Sequence, residues 1–145
     1  MNLVTIISSC LLALTATAAL MADEQKPKEE VREVATPVLK AVTGAEAKSL
    51  VTGENAPIVI DIRTAEEFKE GHIEGAQRIE FGTAGFKDEL AKLDKSKAYL
   101  FHCRSGGRSN KSLPIWKELG FQKLYHLDSG IQGWKKAGGE VVEGQ

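Results

Sequence analysis

Cys103 is the residue whose type and neighbours most clearly allow chemistry. It follows the apolar run 98–102, which predicts a strand buried on both faces, and it opens a glycine-containing loop before a predicted helix. Such a loop can point successive N–H groups at one anion, and the helix N-terminus adds the positive end of its dipole. Arg104 and Arg108 add formal charge near the sulfur. All of these effects favour a nucleophilic thiolate over a thiol.

A thiolate held by such donors can attack a sulfane sulfur and keep it as a persulfide on Cys103. A second nucleophile would then remove the sulfur, which is covalent catalysis with ping-pong kinetics. This chemistry requires no cofactor, metal or second cysteine, and the three histidines are too scattered to suggest zinc. The residues expected to bind the donor anion are Arg104, Ser105, Gly106, Gly107 and Arg108.

A phosphate-binding loop in which Cys103 is incidental is the alternative interpretation. The patterns Gly-x-x-x-x-Gly-Lys-Ser/Thr and Gly-x-Gly-x-x-Gly, which mark common nucleotide-binding loops, are absent from the sequence. We therefore favour the nucleophile. Because an isolated cysteine is often only a buried apolar side chain, the hypothesis depends on the arginines and glycines around it.

Asp61 and Arg63 form a second charged group, at the end of the apolar run 58–62. They could act as a catalytic acid and an anion clamp. We favour a structural role, because acidic residues at strand ends commonly accept hydrogen bonds from loop amides. Both are therefore predicted to be structural support for the site.

Short apolar runs alternate with helical patterns along the rest of the chain, which predicts an α/β fold with a parallel sheet covered by helices. Strands are expected at residues 58–62, 76–79, 98–102 and 123–127. Helices are expected at residues 44–53, after residue 64, and at residues 86–93, 108–119 and 131–137. Thr43 with Glu46, and Thr64 with Glu67, have the spacing of capping boxes and indicate two helix starts. Pro114 predicts a kink or an irregular turn in the fourth helix.

The composition indicates one globular domain. The chain has 145 residues, of which 42% are hydrophobic and 27% charged, so there is enough apolar material for a core. The net charge of −1 produces no overall field that would attract nucleic acid or an anionic membrane. We expect a monomer that acts on a small anion bound locally.

Residues 1–22 carry no charged side chain and are mostly apolar, which is typical of a signal peptide. An uncleaved anchor and lipidation at Cys10 are the alternatives, and we favour cleavage because several Ser and Thr residues make a poor membrane span. The Lys- and Glu-rich residues 23–33 are then a linker, and residues 34–145 are the domain. We expect an exported protein, periplasmic or secreted, without membrane contact after cleavage.

Several segments together resemble the rhodanese homology domain. In chain order they are Asp61-Ile62-Arg63, Glu67-Phe68, Gly71-His72-Ile73-Glu74-Gly75-Ala76, Cys103-Arg104-Ser105-Gly106-Gly107-Arg108-Ser109, Leu127-Asp128-Ser129-Gly130-Ile131-Gln132-Gly133-Trp134 and Gly138-Gly139. The resemblance implies a rhodanese-like three-layer α/β/α fold with a five-stranded parallel sheet. It also implies thiosulfate or a persulfide as the sulfur donor, with a thiol or cyanide as the acceptor.

Two other functions stay open. The chain could be a persulfide carrier that charges with sulfur and passes it to a protein partner without rapid turnover. It could also be a phosphatase or arsenate reductase, whose similar loops place five residues between cysteine and arginine. Four residues separate Cys103 from Arg108, and a tetrahedral phosphate requires the wider loop, so this alternative is disfavoured.

Overall fold

The computed structural model describes residues 37–144 and shows a parallel sheet with helices on both faces. The elements are β1 (Val38–Val42), α1 (Gly44–Val51), β2 (Ile58–Asp61), α2 (Ala65–Lys69), β3 (Gln77–Arg78), α3 (Phe86–Ala91), β4 (Ala98–His102), α4 (Gly107–Glu118), β5 (Lys123–Leu127) and α5 (Gly130–Lys136). The five strands lie in the order β1-β5-β4-β2-β3, and every neighbouring pair is parallel. The predicted three-layer fold with a five-stranded parallel sheet is confirmed.

Two apolar clusters fill the spaces between the layers. On one face, α3 and α4 cover the sheet through Phe86, Leu90 and Trp116. On the other face, α1 and α5 pack against it, with Ile131 and Trp134 from α5 buried. Because β4 and β2 are central and buried on both faces, their apolar character is nearly continuous, as the sequence predicted.

Local sequence signals place most elements to within one or two residues. The capping boxes at Thr43 and Thr64 form, each with its glutamate side chain returning to the cap backbone. α4 remains α-helical through Pro114, so the irregular turn expected there does not form. The proline removes only the donor to the carbonyl of Asn110, and Asn110 lies on the exposed side of the helix, where solvent can replace that donor.

β1 was not predicted. Its side chains are mostly exposed, with Val42 as the buried exception, because among the described strands it lies at the edge of the sheet and pairs with β5 alone. The predicted signal peptide and linker lie outside the described residues. Within residues 37–144, no helix is both long and apolar enough to cross a bilayer.

Candidate active site

The loop between β4 and α4 begins with Cys103 at the carboxyl end of a central strand. Its backbone is tied to α5, because Ile131 N–H donates to the Cys103 carbonyl at 2.9 Å and Gln132 N–H donates to the Arg104 carbonyl at 3.1 Å. These bonds satisfy the free amides at the start of α5 and fix the first two loop residues. The carboxyl edge of a parallel sheet is where α/β proteins usually bind ligands.

Gly106 turns the loop back toward the sulfur. It has a φ of +96°, and its N–H donates to Cys103 Sγ at 3.2 Å. A Cβ atom at this position would overlap the carbonyl oxygen of Asp128. Both the left-handed conformation and the close approach therefore require glycine here. Gly107 then begins α4, so the positive end of this helix dipole lies beside the sulfur.

The sulfur is enclosed by hydrogen-bond donors and is almost wholly buried. Cys103 is 1% exposed, and its Sγ lies 3.5 Å from the Ser109 hydroxyl. Burial raises the pKa of the Cys103 thiol, but hydrogen bonds from the Ser109 hydroxyl and from the amides of Ser109, Ser105 and Gly106 outweigh it. The net pKa lies below the ordinary value, and the thiolate is the favoured nucleophile.

Ser109 connects the sulfur to a histidine on the next strand. His126 lies on β5, is 3% exposed, and places Nε2 2.8 Å from the Ser109 hydroxyl. The imidazole stacks on Phe101, with ring centroids 5.0 Å apart. Burial lowers the pKa of His126, against the attraction of Asp128, so the ring is neutral near pH 7.

Arg108 does not point its charge freely toward the sulfur. Its guanidinium donates two hydrogen bonds to the Glu67 carboxylate, at 2.6 and 2.7 Å. This bidentate pair raises the pKa of Arg108 and lowers that of Glu67. About a third of the Arg108 side chain remains exposed, so further donors of the guanidinium are available at the mouth of the site.

The other predicted anion-binding residues lie around the same loop. Arg104 is exposed and lines a cleft of about 300 Å³ with Arg63, Glu70 and Lys135. Ser105 is exposed, and its amide helps to lower the pKa of Cys103. Of the five loop residues, Ser105 and Gly106 direct their amides at the sulfur, and the roles of all five in binding a donor remain predictions.

Asp61 and Arg63 form one buried ion pair. The Asp61 carboxylate is fully buried and accepts hydrogen bonds from the Arg63 amide and guanidinium, and Arg63 Nη2 also donates to the Gly71 carbonyl at 2.8 Å. These contacts hold the start of α2 against the loop that follows it. They occupy the charges of both residues, and the assignment of structural support remains a prediction.

His102 is fully buried next to this pair. Its Nδ1–H donates to the Cys103 carbonyl at 3.0 Å, whereas Nε2 has no hydrogen-bond partner among residues 37–144 and lies 3.8 Å from Asp61 Oδ2. Burial lowers the pKa of His102, although Asp61 opposes it, so the ring is neutral. Within residues 37–144, no three His, Cys, Asp or Glu side chains are grouped closely enough to hold a metal ion.

Sequence analysis assigned no site role to Glu67, Ser109 or His126. Glu67 was recognised as a member of a capping box, which it also forms, and of a family segment, but not as a partner of Arg108. Ser109 follows the predicted loop directly, so a search one turn into α4 would have included it. Nothing local in the sequence indicates that His126, 17 residues further along, contacts Ser109.

Comparison with known families accounts for this fold and loop together. The model of the rhodanese-like domain matches residues 43–137. The chain belongs to the rhodanese-like domain family, as the resemblance predicted.

Named relatives support sulfur transfer as the general activity. The chain is 33% identical over 97 residues to the putative sulfurtransferase YtwF of Bacillus subtilis, covering 67% of this chain and 91% of YtwF. It is 30% identical over 82 residues to the thiosulfate sulfurtransferase GlpE of Pseudomonas aeruginosa, covering 57% of this chain and 73% of GlpE. It is also 32% identical over 95 residues to the probable adenylyltransferase/sulfurtransferase MoeZ of Mycobacterium tuberculosis. That match covers 66% of this chain but only 24% of MoeZ.

A solved structure shows the same fold. A rhodanese-like domain protein from Staphylococcus aureus superposes with a TM-score of 0.62 at 24% identity, covering 73% of this chain and 99% of that protein. At this identity the likeness concerns the fold alone.

Proposed function

We propose that this protein is a thiosulfate-type sulfurtransferase that carries sulfur as a persulfide on Cys103. The observation that carries the proposal is the enclosure of Cys103 Sγ by the Gly106 amide, at 3.2 Å, and the Ser109 hydroxyl, at 3.5 Å. These donors suit an anionic sulfur before and after transfer. The relative named as a thiosulfate sulfurtransferase supports thiosulfate as the donor.

In the first step, the Cys103 thiolate attacks the outer sulfur of thiosulfate. The sulfur–sulfur bond of thiosulfate breaks, and sulfite leaves with the electron pair. In the second step, a nucleophile such as cyanide attacks the terminal sulfur of the persulfide, forming thiocyanate and restoring the thiolate. A thiolate acceptor would become a persulfide in the same way. Neither step requires a metal, a redox cofactor or a net proton transfer.

The loop residues have separate tasks in this scheme. Amides of residues 104–108 and the α4 dipole stabilise the charge on the sulfur, while Arg104 and the exposed part of Arg108 attract the donor anion. Asp61 and Arg63 hold the neighbouring backbone through the contacts described above.

The test is thiocyanate production from thiosulfate and cyanide, measured for the wild type and for Cys103→Ser. The proposal expects turnover in the wild type and none in the variant, which replaces the sulfur by a poor nucleophile of nearly the same size. Equal turnover in both proteins would exclude Cys103 as the sulfur carrier.

A persulfide carrier is the second candidate. The 1% exposure of Cys103 and the engagement of Arg108 by Glu67 both favour slow reaction with small acceptors. A carrier would gain one sulfur atom from a donor but produce little thiocyanate. Turnover of a generic aryl phosphate would instead support a phosphatase.

Export of the protein and a monomeric state are also part of the proposal. The uncharged, apolar residues 1–22 support export, with cleavage before the charged linker. Cell fractionation and the mass of the mature chain test this point, and light scattering of the purified protein tests the monomer. A chain that keeps residues 1–22 in the membrane fraction would contradict cleavage.

A further inference from the structure

The Ser109 hydroxyl has more partners than it has protons to give. It lies 2.8 Å from His126 Nε2, 3.0 Å from the Gly106 carbonyl oxygen and 3.5 Å from Cys103 Sγ. Ser109 is fully buried, so water does not complete its hydrogen bonds. A serine hydroxyl has one proton and two lone pairs. The proton can therefore point at only one of the three neighbours at a time.

The tautomer of His126 decides which neighbour receives the Ser109 proton. If Nε2 carries a hydrogen, it donates to the Ser109 oxygen, and the serine proton is free for the sulfur or for the Gly106 carbonyl. If Nε2 is bare, it accepts the serine proton at the shortest of the three distances. The sulfur would then face oxygen lone pairs, which would destabilise a thiolate. Of the two forms, only the Nε2–H form of His126 lets the Ser109 hydroxyl donate to an anionic sulfur on Cys103.

With Nε2–H in place, the charge on the Cys103 sulfur decides whether the Ser109 proton points at the sulfur or at the Gly106 carbonyl oxygen. Hydrogen bonds to an ionised acceptor are roughly twice as strong as those between neutral groups. When Cys103 is a thiolate, the Ser109 proton is therefore drawn from the Gly106 carbonyl to the sulfur. The longer distance to sulfur is compatible with this exchange, because sulfur is the larger atom.

The imidazole is held in place for this task. Phe101 and His126 are register partners on β4 and β5, and their rings stack with an interplanar angle of 18°. The ring can therefore rotate little without losing both its stacking on Phe101 and its hydrogen bond to Ser109.

The charged groups that influence this cluster are Asp128, beyond the end of β5, and Arg108, whose guanidinium interacts with the charge on Cys103.

We propose that Ser109 binds the sulfur anion of Cys103 through its hydroxyl, and that His126 is a positioning residue which directs this proton by donating Nε2–H to the serine oxygen. The proposal concerns the thiolate of Cys103 and therefore does not rest on sulfur transfer. Stabilisation of the thiolate is a separate property and can be measured without sulfur transfer.

The test is the rate of Cys103 alkylation by iodoacetamide as a function of pH, on the folded full-length protein. We expect Ser109→Ala to raise the apparent pKa of the thiol by about one unit, a roughly tenfold loss of thiolate at neutral pH, since a hydrogen bond to a charged group is removed. His126→Phe keeps a flat ring on Phe101 but removes the donor to the Ser109 oxygen. The serine then keeps its proton for the sulfur but donates less strongly, so the pKa should rise by less than in Ser109→Ala. His126→Gln, whose amide can donate to Ser109, should restore part of the wild-type value.

Ser112→Ala is the matched control. Ser112 is also fully buried on α4, donates to the Ser109 carbonyl at 2.8 Å and accepts from Trp116 Nε1 at 3.2 Å. Its removal should lower the melting temperature without moving the Cys103 pKa. If Ser109→Ala and His126→Phe shift the pKa no more than Ser112→Ala does, the proposal is wrong. If Ser109→Ala and His126→Phe shift the pKa as predicted but the wild type forms no persulfide, the proposed function is wrong and this inference stands.

Discussion

The Arg108 guanidinium and the Glu67 carboxylate form a bidentate ion pair, with hydrogen bonds of 2.6 and 2.7 Å, across 41 residues of sequence. Glu67 thereby offsets the positive charge of Arg108, which interacts with the charge on Cys103. We expect Glu67→Gln to lower the KM for thiosulfate about fivefold, which corresponds to ~1 kcal/mol of recovered attraction for the dianion. Steady-state kinetics with thiosulfate and cyanide measure this change in KM. Glutamine retains the capping box with Thr64, so the start of α2 should be preserved.

Arg108→Ala is the opposite change and should raise the KM for thiosulfate with little effect on thermal stability. The pair is partly exposed, so its contribution to the free energy of unfolding is small, whereas the exposed part of the Arg108 guanidinium would attract the donor anion. A reversal of charge, Arg108→Glu, should raise KM further. An unchanged KM in Arg108→Ala would remove Arg108 from donor binding.

Cys103 should ionise more readily than an ordinary cysteine. Burial raises the pKa of Cys103, but the surrounding hydrogen bonds lower it by more, so half-maximal alkylation by iodoacetamide is expected at a lower pH than for an ordinary cysteine. The same curve on urea-unfolded protein supplies the reference. A folded midpoint above the unfolded one would mean that burial prevails over the donors.

Gly106 and Gly107 are adjacent but differ in what they tolerate. An added Cβ at Gly106 meets the Asp128 carbonyl and adopts a left-handed φ, whereas one at Gly107 meets nothing within 4 Å. We expect Gly106→Ala to cost at least ~2 kcal/mol of unfolding free energy and to abolish thiocyanate production. Gly107→Ala should be neutral or slightly stabilising, because it lies in the first turn of α4. Equal stability of the two variants would contradict the loop geometry.

Stability should fall as pH is lowered from 7 to 5. His102 is buried and neutral with a pKa below its ordinary value, so the unfolded chain binds a proton that the folded chain does not. Its stabilising contribution is complete above the unfolded pKa, about 6.5, and is lost as pH falls below that value. Urea unfolding at several pH values measures the slope of the unfolding free energy against pH. In His102→Phe, where the Cys103 carbonyl still accepts from Ile131, the slope in this range should be smaller.

The sequence predicted those parts of the protein that depend on short-range signals. Buried strands such as β4 are continuous apolar runs, and the helix starts at Thr43 and Thr64 follow from side chains three residues apart. The β4–α4 loop could be located because a cysteine, two glycines and two arginines are adjacent in the chain. The family resemblance supplied the number of strands and the three layers.

The parts that were missed depend on contacts between distant segments. β1 has only one buried side chain, so its hydrophobic pattern does not predict a strand, and its pairing with β5 is visible only in the structure. The contact of Ser109 with His126 arises because β5 is next to β4 in the sheet, and the strand order is not encoded locally. Arg108 was expected to hold a donor anion, but its pairing with Glu67 could be seen only in three dimensions.

The central claim is that Cys103 carries the transferred sulfur. Its most direct test is intact-mass analysis of the full-length protein, with Cys10 replaced by serine in every sample, after treatment with thiosulfate, followed by cyanide. We predict a gain of one sulfur atom in the wild type, removal of that sulfur by cyanide, and no gain in Cys103→Ser. A wild-type mass that does not change with thiosulfate or with a small-molecule persulfide, or an equal gain in Cys103→Ser, would contradict the account.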